Sequence, residues 1–261
     1  MSLTSDFGLS LGLLGLGAAR TVPLAWSVPV FGGPGLPGQI RVALGLGLAV
    51  LCYPALASTS LPADTLSWAL LATREALVGA VMGFVCAAMF RAAAAAGELT
   101  DVLRGMNFAS LLSPAGEQRT SPLGALLLLF ACVVFLELGG IGLVASALAR
   151  SYEAFPLAVS PRIGEPSRAA ALLVLAASAK LIEAAIGLAA PALVALLLAD
   201  IVLGAIGRAV PGVPSYFVGM PLKALLGIGA VLLGLGGLDL AMQHGFRGFF
   251  ALLAAALRMG R

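Results

Sequence analysis

The residues Gly8-Leu9-Ser10-Leu11-Gly12 fit the letters of G-x-S-x-G, the elbow on which hydrolases mount a nucleophilic serine. Such a serine needs a strand-to-helix turn beneath it and a histidine base beside it. The single histidine, His244, lies in the far C-terminal part of the chain. No H-E-x-x-H run is present to hold zinc, and no G-K-[ST] is present to grip nucleotide phosphates. Cys52, Cys86 and Cys132 stand singly inside apolar stretches, without metal or redox spacing, and read as small buried hydrophobes. These patterns predict a protein that is not an enzyme and takes no cofactor or metal. The other residues able to do chemistry are charges in apolar surroundings: Arg20, Arg74, Glu75, Glu98, Asp101, Arg104, Glu137, Lys180, Glu183 and Asp200. At the centre of a span each would cost about 2.5–3.5 kcal/mol on insertion scales, so each needs a partner, water or a place outside lipid. Lys180 with Glu183, and Asp101 with Arg104, are spaced i,i+3 and share a helix face. Arg20 and Glu137 have no local partner and should meet another helix, another subunit or water. Two readings stand: a conduit or subunit contact, or intrahelical pairs that snorkel at the rim.

The elements that carry these charges follow from composition. Of 261 residues, 61% are AVILMFWYC, 33 are Gly, 15 are Pro and only 10% are charged. A soluble domain carries about a quarter charged residues, so a water-facing globule is excluded and the bilayer is the natural solvent. The net charge of +3 is spread along the chain, which gives no nucleic-acid footprint. The start, MSLTSDFGLS, lacks the positive region of a signal peptide, so the first apolar segment is expected to remain.

With about 20 apolar residues needed per span, candidate segments run over 7–31, 42–57, 66–96, 123–149, 169–207 and 222–243. The 169–207 segment is too long for one span, and Pro191 is the expected break. A Pro/Gly turn is expected over 208–221, and a tail helix at the interface over 245–261. The longest polar stretch is 97–122. Five to seven hydrophobic helices result, and ten-residue alternating strands are absent, which excludes a barrel. The expectation is an all-α integral membrane protein of about six long hydrophobic helices plus broken helices, forming a single membrane-embedded domain over 1–261. Basic residues split seven against six across a six-span arrangement, so loop charge gives no orientation. Gly79 and Gly83 make a small-xxx-small face, and Gly229, Gly234, Gly236 and Gly237 crowd the last span, which favours close helix packing.

Three stretches together carry a resemblance. They are Ala96-Gly97-Glu98-Leu99-Thr100-Asp101 continuing to Pro114, the connection Ser151-Tyr152-Glu153-Ala154-Phe155-Pro156, and LLLADIVLGAIGRAVPGVPSYFVGMPLK, with Asp200, Gly204, Arg208, Pro211, Gly219, Pro221 and Lys223 in register. With Arg20, Pro29-Val30-Phe31 and Arg41, the pattern resembles the FliR/SctT family, inner-membrane export-apparatus proteins of bacterial type III secretion, over about residues 10–245. Two departures stand out. Ser113-Pro114 replaces the Asp-Pro common in the family's central loop, and Gly212-Val213-Pro214-Ser215-Tyr216 replaces Gln-x-Asn-x-Phe.

The resemblance implies one subunit of a helical hetero-oligomeric export gate. Its partners would be two other small membrane proteins, FliP/SctR-like and FliQ/SctS-like, and larger export-gate membrane proteins. The assembly would surround the path of unfolded secreted substrates through the bacterial inner membrane. It also implies a loop that plugs the pore, here about 106–122: Met106, Asn107, Phe108, Ser110, Leu111, Leu112, Ser113, Pro114, Gln118 and Pro122. Polar irregular backbone at membrane depth is tolerated only inside protein or along water, which suits a plug; an ordinary exposed loop is the alternative. The charges Arg20, Glu98, Asp101, Arg104, Glu137, Lys180, Glu183, Asp200, Arg208 and Lys223 would then face subunits or water, with Pro211, Gly219 and Pro221 shaping a turn. The Ser151-Tyr152-x-x-x-Pro156 connection leans towards an injectisome over a flagellum. The rival reading is a secondary transporter that uses Lys180, Glu183 and Glu137 as an ion or proton relay, although no inverted repeat is visible.

Overall fold

A computed structural model of the chain describes residues 3–32, 37–52, 64–106, 121–156, 165–210 and 215–259. All regular elements among them are helices: α1 Leu3–Ser27, α2 Pro29–Gly32, α3 Gly38–Leu51, α4 Thr65–Leu103, α5 Pro122–Glu137, α6 Gly140–Ala154, α7 Glu165–Ala209, α8 Ser215–Leu233 and α9 Leu235–Met259. Three of these, α4, α7 and α9, are long and apolar enough to cross a membrane. A fourth span results if the broken pair α5 and α6 counts as one. The protein is therefore an all-α, multi-pass membrane protein. Gly8 to Gly12 lie inside α1, so the serine motif has no strand-to-helix turn.

Several sequence boundaries move, each for a physical reason. Pro191 does not break the 165–209 segment; α7 runs through it as 45 residues. At 1.5 Å per residue that is about 67 Å, more than twice a hydrocarbon core of about 30 Å. A proline costs one backbone hydrogen bond, which an otherwise strongly apolar helix in lipid or protein can tolerate. The 123–149 segment does break, at Leu138-Gly139, where Gly139 takes φ 67°. That left-handed conformation is open to glycine at little cost. The final break falls at Gly234 instead of before 245, so the tail residues form one helix with 235–244. The expected 208–221 turn shrinks, because α7 continues through Arg208 to Ala209 and α8 begins at Ser215.

The chain forms two compact units. The first comprises residues 1–88, 136–179 and 246–261. Within it α1 packs closely on α4 and α3. A Cβ at Gly79 would strike the Arg20 backbone carbonyl, and one at Gly83 would lie 2.9 Å from Leu24 Cα. A Cβ at Gly45 would lie 2.8 Å from Val22 Cα, and the Thr21 hydroxyl donates to the Gly45 carbonyl at 2.7 Å. The Gly79-x-x-x-Gly83 face is thus where two helix backbones meet.

The second unit comprises residues 89–135 and 180–245. Its core holds Phe90 and Phe135, with ring centroids 5.1 Å apart, together with buried Met89, Leu127, Leu196 and Met242. A Cβ at Gly97 would drive into the backbone of Leu123 and Gly124, so α4 and the first turn of α5 touch main chain to main chain. The glycines near the last span behave differently from the packing expectation. A Cβ at Gly229, Gly236 or Gly237 would meet nothing within 4 Å, and Gly234 faces its own chain at the break.

Candidate functional site

Two charged clusters stand out, one in each unit. In the first, Arg20 of α1 is fully buried beside fully buried Glu75 of α4. Arg20 Nε donates to Glu75 Oε2 at 2.6 Å, and Nη2 lies 2.5 Å from the same oxygen. Nη1 donates to Ser151 Oγ at 3.0 Å and Nη2 to the Phe155 carbonyl at 2.8 Å. The guanidinium also lies 4.2 Å from the Tyr152 ring centroid, a cation–π contact. The Tyr152 hydroxyl in turn donates to the Gly17 carbonyl at 3.4 Å. Every nitrogen of Arg20 has an acceptor, so the cation of this costly buried pair is matched, while Glu75 Oε1 has no hydrogen-bond partner among the described residues. Next to it, Arg74 Nη1 donates to the Pro156 carbonyl at 3.3 Å and lies 4.0 Å from Glu75 Oε1. Arg20 therefore meets other helices of its own chain, and Glu75 is its counter-ion, a pairing that spacing could not reveal at 55 residues' separation.

The second cluster is built around an anion. Helix α4 ends in a glycine cap: Gly105 has φ 81°, its N–H donates to the Val102 carbonyl at 3.1 Å, and the Met106 N–H donates to the Asp101 carbonyl at 3.1 Å. This double bond pattern is a Schellman motif, which satisfies the last carbonyls of the helix. Asp101 and Arg104, both buried, are joined by Arg104 Nη2 donating to Asp101 Oδ1 at 2.5 Å. The other carboxylate oxygen, Oδ2, accepts from Ser121 Oγ at 2.5 Å and from the Leu123 N–H at 2.9 Å. Ser121 Oγ also accepts the Gly124 N–H at 2.9 Å. Ser121 is thus the N-cap of α5, with Pro122 in the first helical position, where its missing N–H costs nothing. Asp101 supplies a second cap from a different helix, and its negative charge sits at the positive end of the α5 dipole. The stem of Arg104 lies against Gly227 of α8, where a Cβ would collide with it. Among the described residues, Arg104 Nε and Nη1 are buried without a hydrogen-bond partner.

The remaining expected residues are spread out. Asp200 of α7 pairs with Lys223 of α8, at the half-exposed surface of the second unit. Lys180, Glu183, Glu98, Glu137 and Arg208 are exposed. No ion pair joins Lys180 to Glu183 among the described residues, so the expected intrahelical pair is not formed; both side chains point outward, where solvation or a neighbour replaces the pairing. Gly219 and Pro221 lie within the first turns of α8 rather than in a turn, with Gly219 facing Leu203 of α7. Met106 and Pro122 flank the expected plug. Asn107, Phe108, Ser110, Leu111, Leu112, Ser113, Pro114 and Gln118 lie outside the described residues, as does Pro211. Ser151, Tyr152, Ser121 and Gly97 belong to these clusters without having been singled out as site residues, and Glu75 stood only among the charges in apolar surroundings. The Ser121-Pro122 pair ahead of an apolar run is an N-cap signature that could have been read.

These features describe a multi-pass helical membrane protein whose buried charges bind its own helices and cap a helix end. The sequence model of "Bacterial export proteins, family 1" matches residues 11–249. The chain is 26% identical over 256 residues to the flagellar biosynthetic protein FliR of Escherichia coli, covering 97% of this chain and 96% of that one. It is 33% identical over 195 residues to the Yop proteins translocation protein T of Yersinia pestis, covering 72% and 71%. It is 31% identical over 166 residues to the secretion system apparatus protein SsaT of Salmonella typhimurium, covering 61% of each. The chain belongs to the FliR/SctT family of type III export proteins. Flagellar relatives and relatives from other secretion systems both match.

Proposed function

We propose that residues 1–261 act as one non-enzymatic structural and gating subunit of a type III protein export channel in the bacterial inner membrane. In this reading the segment 106–122 closes the pore sterically, and substrate together with an opening motion displaces it. Energy comes from other proteins, since the chain has no nucleotide-binding motif. The partners are FliP/SctR-like and FliQ/SctS-like membrane proteins, larger export-gate proteins, unfolded secreted chains and lipid, with no role for nucleic acid.

The observation that carries the reading is where the segment is tethered. Met106 leaves the capped end of a 39-residue apolar helix, and Ser121 opens another apolar helix. Both ends are held at one buried carboxylate, Asp101. A segment anchored in this way from within an apolar helical body suits a plug better than a loop trailing in solvent. Exposed Glu98, Glu137, Lys180, Glu183 and Arg208, with the Asp200–Lys223 pair, then serve as subunit or pore contacts. The test is deletion of residues 108–119. The complex should still assemble, as read by native mass spectrometry, and should leak small ions in a planar bilayer. Unaltered conductance of an assembled complex would remove the plug reading. Solute uptake by the purified chain alone, through Lys180, Glu183 and Glu137, would favour a secondary transporter instead.

A further inference from the structure

We infer that the outward face of α7 around Gly187 is a docking surface for an apolar helix of a neighbouring subunit. That helix brings a hydrogen-bond donor to the Gly187 carbonyl and an acid and a base opposite Lys180 and Glu183. The inference rests on the subunit reading above and names what this part of the chain binds. At about 100° per residue, Lys180, Glu183, Gly187, Pro191, Val194 and Leu198 fall within an arc of about 80° on α7, and all six are exposed. Ala185, Leu188, Ala192 and Leu196 lie on the other side of the helix and are buried, so α7 packs that side into its own unit.

Three features of the outward face call for a protein neighbour. Pro191 has no N–H, so the Gly187 carbonyl lacks the donor that the helix would otherwise supply four residues on. Gly187 has no side chain to shield that carbonyl, and a Cβ there would meet nothing within 4 Å. Lys180 and Glu183 are exposed, and neither forms an ion pair among the described residues. Lipid answers none of these needs, because hydrocarbon offers neither a donor nor a counter-charge. Water would answer them, but only by wetting Ile182, Ile186, Val194 and Leu198, each more than half exposed on or beside the same face. A helix of mixed character answers both demands. Its apolar side chains cover the four hydrophobic residues, a hydroxyl or amide donates to Gly187, and its charges stand in the reverse order to Lys180 and Glu183. Polar side chains hydrogen-bond between membrane helices in this way, and a residue without a side chain lets the backbones come close.

The test uses the export complex purified in mild detergent from its own host, together with the full chain purified alone. Gly187→Leu fills the open notch. It should lower the yield of co-purified partner subunits roughly tenfold, while the unfolding temperature of the chain alone is unchanged or raised. Lys180→Glu combined with Glu183→Lys keeps the net charge and should lose the partners in the same way. Pro191→Ala returns an N–H to the Gly187 carbonyl, so it should raise the unfolding temperature of the chain alone and lower co-purification. Those opposite signs are not produced by a residue that only shapes its own helix. Parental co-purification from Gly187→Leu or from the exchanged pair gives the face to lipid and overturns the inference, while the export-subunit reading stands. Gly187→Cys, with Cys52, Cys86 and Cys132 replaced by alanine, should resist a membrane-impermeant thiol reagent in the assembled complex. Labelling there gives the face to water and also overturns the inference. A parental chain that purifies without any membrane partner removes the subunit reading and this inference together.

Discussion

The two charged clusters use the same residue types to opposite ends. Around Arg20 the cation is central and every nitrogen has an acceptor, drawn from α4 and from α6 and its C-terminal end. Around Asp101 the anion is central and satisfied, while the cation beside it has two buried nitrogens without a partner among the described residues. In the first arrangement any movement of α1 strips several charge-assisted bonds at once. In the second the bonds to Asp101 come from Arg104 at the end of α4 and from the first turn of α5. The two clusters therefore differ in where the unpartnered atoms sit: on the anion, Glu75 Oε1, in the first and on the cation, Arg104 Nε and Nη1, in the second.

The sharpest way to break the comparison is at Glu75. Glu75→Ala leaves Arg20 buried without its counter-ion, and removing one partner of a buried pair costs about 3–5 kcal/mol. The expected outcome is a chain that fails to accumulate in membranes or unfolds at much lower temperature in detergent. Asp101→Asn should cost less, about 1.5–3 kcal/mol for a hydrogen bond to a charged group, and should still yield folded protein. Equal losses from the two substitutions, measured by thermal unfolding in the same detergent, would erase the energetic distinction between the two clusters. Gly97→Ala comes next in size. Its Cβ would collide with backbone at Leu123 and Gly124, which cannot yield as a side chain tip can, and overpacking of this kind costs about 1–3 kcal/mol. It should weaken the Asp101 cluster selectively, while Gly79→Ala should weaken the Arg20 cluster in the same way.

How much of this could be read beforehand depended on range. The all-α membrane class follows from composition and segment length alone, because the scarcity of charge leaves no other solvent. The i,i+3 spacing of Asp101 and Arg104 is local, and so is the Gly79-x-x-x-Gly83 face, and both could be named from the sequence. The Arg20–Glu75 pair was beyond reach, since 55 residues separate the partners and only the packing of α1 on α4 joins them. Helix ends were misplaced where a residue has two readings. Pro191 stays inside α7, and Gly139 breaks the 123–149 segment, because apolar surroundings forgive a missing N–H while a left-handed φ ends a helix outright. Lys180 and Glu183 show the converse limit: correct spacing permits a pair, and exposure removes the need for one.

The smallest effects test whether the comparison extends to the surface of the second unit. Lys223 pairs with Asp200, but their side chains are 20% and 44% exposed, and exposed pairs contribute about 0–1 kcal/mol. Lys223→Ala should therefore barely move the unfolding temperature of the isolated chain. Gly204→Ala, on the same helix as Asp200 and with open space around its Cβ, should be neutral or stabilising by up to about 1 kcal/mol from helix propensity. The informative measurement is the same pair of substitutions inside the assembled complex. If neighbouring subunits cover this face, both changes should reduce co-purification of the partner proteins while leaving the isolated chain intact. Loss of stability in the isolated chain would instead make the Asp200–Lys223 pair a third internal joint and remove it from the contact surface.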